Sequence, residues 1–133
     1  MQRTLIVTPA AQAMYHRYHF PQATRVGDMV WVSGQVGLGP DGRPAQGMAA
    51  QAKLAFESLK AVLAEAGATL GDVVDLNTFH TDLRSEMGEF APVKDAFFPS
   101  HYPCWTAVGV TELAVPGLLV EVRAVAVVGS AIS

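Results

Sequence analysis

The residue with the clearest chemical interest is Glu121. It interrupts the run Leu118-Leu119-Val120-Glu121-Val122-Arg123-Ala124, which is otherwise apolar and strand-like up to Arg123. A carboxylate in such a run must be paired, exposed or functional, because an unpaired buried charge is costly. Arg123 lies two residues on and shares its face if the run is a strand. Two readings follow: a Glu121–Arg123 ion pair on an edge or interface, or an active-site carboxylate at a subunit boundary.

Other reactive residue types give weaker patterns. His16-x-x-His19 has no Cys, Asp or Glu at a recognised ligand spacing, and His80 and His101 lie far away in sequence. A structural metal site needs about four ligands, so no metal is expected. Ser33 sits in Val32-Ser33-Gly34-Gln35, but Trp31 replaces the first glycine of a nucleophile elbow. A serine and glycine that shape a close backbone approach at a strand end is the simpler reading. Gly37-x-Gly39-x-x-Gly42 contains Pro40-Asp41 and no helix follows it within a βαβ unit, which rejects a dinucleotide loop. Cys104 has no cationic sequence neighbour and reads as a small buried thiol.

The elements that must position these residues are strand-rich. Leu5–Val7 reads as a short strand stopped by Pro9, and Tyr15–Gln22 as an aromatic, histidine-bearing loop. Thr24–Val26 and Met29–Ser33 form a hairpin around Gly27-Asp28. Met48–Ala66 is a helix: Ala52, Ala55, Phe56, Leu59, Val62, Leu63 and Ala66 make one face, with Gln51, Lys53, Glu57, Lys60 and Glu65 on the other. Val73–Thr81 is a strand and Glu89–Phe98 a shorter helix, which Pro92 requires to start close before it. Trp105–Thr111 and Leu118–Val128 close the chain as strands, the last central and covered on both faces. The order β-β-β-α-β-α-β-β predicts an α+β fold, a mixed sheet with two helices on one face. Residues 1–133 form one domain by length, and partner subunits are expected to cover the other sheet face.

Composition narrows the function. Half of the residues are apolar and only 16% are charged, which excludes disorder and favours an oligomer. The net charge is −3 and no two basic residues are adjacent, so no nucleic-acid partner is expected. One cysteine excludes an intrachain disulfide. The opening residues do not read as a leader, and no apolar stretch reaches the roughly 18–20 residues of a membrane span. The expectation is a cytoplasmic protein with no membrane partner.

Three segments resemble the RidA (YjgF) family, whose members also carry the labels L-PSP endoribonuclease and translation inhibitor. They are Val26-Gly27-Asp28-Met29-Val30-Trp31-Val32-Ser33-Gly34-Gln35; the long helix followed by Asp72-Val73-Val74-Asp75-Leu76-Asn77-Thr78-Phe79-His80-Thr81-Asp82-Leu83; and Pro103-x-x-Thr106-Ala107-Val108-Gly109-Val110 with Leu119-Val120-Glu121-Val122. The resemblance implies a chorismate-mutase-like fold and a homotrimer whose sheets form an inner barrel. Ligand pockets would lie between subunits. It implies hydrolysis of 2-imino or enamine acids to 2-oxo acids and ammonia, with no cofactor. The family's glutamate, thought to position the hydrolytic water, corresponds to Glu121. Its early pocket tyrosine corresponds to Phe20, and its carboxylate-binding arginine to Trp105.

An indole cannot replace the two charge-assisted hydrogen bonds of a guanidinium. The pocket implied by the resemblance has Glu121 as catalytic residue, with Phe20, Ser33, Gly34, Cys104, Trp105 and Thr106 binding a small-molecule ligand. Trp31 or Tyr18 could add to it, and Arg123 or Arg25 could supply the lost cation. Such an aromatic, acidic pocket suits a cationic or neutral aromatic ligand. Two functions follow: a small-metabolite binder, or an imine/enamine hydrolase with altered specificity. The endoribonuclease label fits the acidic charge poorly.

Overall fold

A computed structural model describes residues 1–132. Nine elements run in the order β1 (Arg3–Ile6), α1 (Gln12–Tyr18), β2 (Ala23–Val26), β3 (Met29–Val36), α2 (Met48–Glu65), β4 (Val73–His80), α3 (Leu83–Phe97), β5 (Cys104–Gly109) and β6 (Val120–Val127). The strands form one mixed sheet in the order β1-β2-β3-β6-β4-β5, antiparallel except for β4–β5. This is an α+β fold, and the two helices expected on one sheet face are α2 and α3. They pack on each other, α2 against β3 and β6 and α3 against β5.

The α2 stripe is buried as its spacing dictates: Ala52, Ala55, Phe56, Leu59, Val62 and Leu63 meet Val30, Val32, Val120, Val122, Ala124 and Ala126 of the sheet. Phe56 stacks on Phe97 and tilts against Phe90, joining the two helices. Arg25 ties the hairpin to the end of α2 by donating to the carbonyls of Ala66 (2.8 Å) and Gly27 (2.8 Å).

Four expectations are corrected. The segment read as an aromatic loop begins as helix α1, which ends at His19 in the left-handed region (φ 63°). None of its residues is buried, so it carries no apolar stripe to reveal it. Helix α3 starts six residues earlier than expected and keeps Pro92 inside it. The carbonyl of Gly88, deprived of its donor, lies at an exposed position. Gln51 is buried rather than on the polar face. Its amide donates to the carbonyls of Ala45 (3.0 Å) and Gly117 (2.9 Å) and accepts from the N–H of Leu119 (2.7 Å). Cys104 is exposed, because β5 is an edge strand and Cys104 alternates with the helix-facing Trp105.

Strand β6 is central, as expected, but within one chain only its helix side is covered. Val120, Val122, Ala124 and Ala126 are buried, whereas Glu121, Val125 and Val127 are half-buried and Arg123 is exposed. The same open face carries Trp31, in register with Val125, and Phe79, in register with Glu121.

Candidate functional site

The site is built where the β3–β6 ladder breaks. Val32 pairs with Ala124 and Gln35 with Val122, so Ser33 and Gly34 together oppose Arg123. Such a bulge re-aims side chains and opens the backbone. The Ser33 N–H donates to the Gln22 carbonyl (2.8 Å) and its hydroxyl to the Pro21 carbonyl (2.8 Å). Ser33 is thereby a bracket for the Phe20–Gln22 segment, not a free nucleophile.

Gly34 is required by Glu121. A Cβ on Gly34 would lie 2.5 Å from Glu121 Cδ and Oε2. The carboxyl group is thus laid across the bare backbone of the bulge. It is half-buried, and burial pushes its pKa above the ordinary carboxylate range, with Arg123 opposing the shift. Among the described residues Glu121 and Arg123 form no ion pair with each other or with any other group, so the paired reading is not realised.

Phe20, Trp31, Phe79, Ser33, Glu121 and Arg123 line one cavity of about 580 Å³, closed by Pro21, Thr24 and Gly34. Of the two arginines considered, Arg123 lines this cavity. Arg25 does not: it is engaged at the end of α2. Tyr18 is exposed and lines no part of this cavity. The cavity thus holds a guanidinium as well as a carboxylate among its aromatic walls.

The β5 residues are placed elsewhere in the chain. Trp105 turns to the helix side, where its indole N–H donates to Thr78 Oγ1 (3.0 Å). The Lys94 ammonium lies 4.2 Å from its ring centroid. Thr78 Oγ1 also meets Nε2 of the buried His80 (2.8 Å), whose pKa is lowered by burial. Trp105 and Glu121 are thus on opposite faces of one subunit's sheet. Cys104 and Thr106 are exposed on the same face as Glu121, and Thr106 is in register with Asn77, which in turn pairs with Arg123. Neither lines the cavity.

His16 and His19 are exposed beside a smaller hollow with Tyr15, and His101 is exposed. No three His, Cys, Asp or Glu side chains cluster as metal ligands among the described residues. No helix among them is long and apolar enough to cross a membrane. Sequence reasoning raised Arg123 only as one option; its signal was the two-residue spacing from Glu121. Phe79 was missed, although its strand was found.

The fold and cavity define a class: an α+β sheet layered on one side by two helices, with a carboxylate pocket on its other side. The endoribonuclease L-PSP family profile matches residues 10–128. The chain belongs to this family, the RidA/YjgF family. It is 39% identical over 127 residues to the RutC family protein YjgH of Escherichia coli, covering 95% of each chain. It is 34% identical to a 2-iminobutanoate/2-iminopropanoate deaminase of Salmonella typhimurium, covering 81% of this chain and 86% of that one. A solved structure of protein YjgH superposes with a TM-score of 0.86 at 39% identity, covering 96% of this chain and 98% of the other.

Proposed function

We propose that this chain hydrolyses an imine or enamine, releasing ammonia and leaving a carbonyl compound. The observation that carries the reading is that the Glu121 carboxyl, its pKa raised by burial, and Arg123 line one aromatic-walled cavity. The deaminase relative supports the reaction class. In this reading Glu121, ionised, takes a proton from water as the water oxygen adds to the C=N carbon. The nitrogen is protonated, the carbinolamine C–N bond breaks, and ammonia leaves as the C=O bond forms. A pKa raised toward neutrality suits a group that must both accept and return a proton. Arg123 is assigned to a negative group on the substrate, while Phe20, Trp31 and Phe79 contact its apolar part.

We further propose a homotrimer in which the open sheet faces meet. Cys104 and Thr106, on the open face of β5 in one copy, would then border the cavity of the next, and Trp105, partly exposed on the other side of that edge strand, would flank its rim. A second reading, capture of a small metabolite without turnover, is favoured by Trp105 standing where the family resemblance expects an arginine, with no other cation on β5. The test is ammonia release from imines generated in situ from a panel of amino acids. Turnover above buffer that Glu121→Gln abolishes supports hydrolysis. Saturable binding with no ammonia, weakened by Trp105→Ala, supports capture.

A further inference from the structure

On the helix side of the sheet lies a second cavity, of about 700 Å³, between the N-terminal segment and α2. Its floor includes Gln22 and Gln35, its apolar wall includes Met14 and Leu54, and Glu57 and Glu65 stand at its rim. We propose that it binds a small amphiphile bearing a cationic amine and a carbonyl acceptor, the chemistry of an amino-acid amide.

The argument begins with the buried amides. The Ser33 carbonyl can only accept, so the group 3.0 Å from it is Gln35 Nε2. That orientation leaves Gln35 Oε1 to accept from the Ser58 hydroxyl (2.6 Å) and points Nε2 also at Gln22 Oε1 (3.2 Å). The chain of bonds fixes the Gln22 amide, and its Nε2 is left buried with no partner among the described residues. Gln22 is 7% exposed and lines the cavity. Nε2 has no exposed surface while the cavity is closed, so a ligand carbonyl reaches it only as the wall beside Gln22 shifts; a buried unpaired donor costs roughly 1–3 kcal/mol, which that contact would relieve.

The rim supplies the opposite requirement. Glu57 and Glu65 are exposed carboxylates, two turns apart on α2. Neither has an ion-pair partner among the described residues. They attract a cation to the mouth of a cavity whose walls are largely apolar. The outer wall, from Pro9 through α1, contains no buried residue. Few packed contacts hold it down, so it yields as a ligand enters.

The probe is L-leucinamide, followed by NMR titration of the full chain. It should saturate with a Kd of about 1–10 mM, the range for a ligand of this size. Isoamylamine, without the carbonyl, and isovaleramide, without the amine, should each bind several-fold more weakly. Glu57→Gln with Glu65→Gln should weaken leucinamide about fivefold or more at low salt. Ala61→Trp, at an exposed position lining the cavity, should abolish the shifts with the fold intact by thermal melting. Glu121→Gln should leave binding unchanged. The proposal is overturned if leucinamide gives no saturable shifts, if Ala61→Trp binds as wild type does, or if Glu121→Gln abolishes binding.

Discussion

Two glycines at the end of β3 face the same nominal crowding with different consequences. A Cβ on Gly34 would lie 2.5 Å from the Glu121 carboxyl, and one on Gly37 would lie 2.3 Å from the backbone oxygen of Gln51. A side-chain end can rotate away, whereas the backbone of a packed helix cannot. Moving Glu121 off its rotamer costs about 0.5–1.5 kcal/mol. Replacing glycine where φ is not positive returns about 0.4–1 kcal/mol through the unfolded chain. Gly34→Ala should therefore stay within about 1 kcal/mol of wild type, or within about 4 °C in Tm for this length. Gly37→Ala has no such escape and should cost about 3 kcal/mol, near the upper end of overpacking, lowering Tm by about 10 °C. Activity should order the opposite way. Gly34→Ala displaces the carboxylate that the reaction needs and should lose about a hundredfold in ammonia release. Added to Glu121→Gln, it should lose nothing further. The assays are thermal unfolding and initial rates on the same preparations. Full activity in Gly34→Ala, or a loss of 3 kcal/mol or more in its stability, would refute the packing of Glu121 on the bulge.

Arg123→Gln removes the charge that opposes the upward shift of Glu121, so the rising limb of the pH–rate profile should move to higher pH. It should also cost about 10–100-fold in kcat/KM if Arg123 holds a substrate anion. Stability linked to Glu121 runs the other way. Its raised folded pKa gives a contribution that is full below the ordinary value of 4.5 and is lost as pH rises through the folded pKa. Glu121→Gln should remove that loss in pH-dependent melting. His80 is depressed below 6.5, so its contribution is present above 6.5 and lost as pH falls through the folded value. Melting curves of His80→Asn should be flatter than wild type in that window. Arg25→Ala should cost about 1–3 kcal/mol in denaturant unfolding by releasing the Ala66 carbonyl at the end of α2. Arg25→Lys should not rescue it, because one ammonium cannot span the Ala66 and Gly27 carbonyls.

The legible parts of the fold are those with a periodic apolar face. The α2 stripe and the Val-rich β6 both declared themselves, because burial on one or both sides leaves a pattern in sequence. Helix α1 left none, since it buries nothing. Burial of Gln51 was illegible for another reason: its partners Gly117 and Leu119 are distant in sequence. At the site, Glu121 was visible as a charge in an apolar strand, but Ser33-Gly34, read as a strand end, is a bulge inside β3, which runs on to Val36. The direction of Trp105 was not visible. On an edge strand, alternation fixes which residues share a face but not which face is covered, and the Lys94 and Thr78 contacts decide it.

The central claim is that Glu121 performs hydrolysis of a C=N bond in the cavity beside Arg123. Ammonia release from imines of several amino acids, measured for wild type, Glu121→Gln and Trp105→Arg side by side, tests it most directly. The account predicts wild-type turnover above buffer and a loss of about 10²–10⁴-fold in Glu121→Gln. No wild-type turnover on any imine, or a Glu121→Gln variant as fast as wild type, would contradict it.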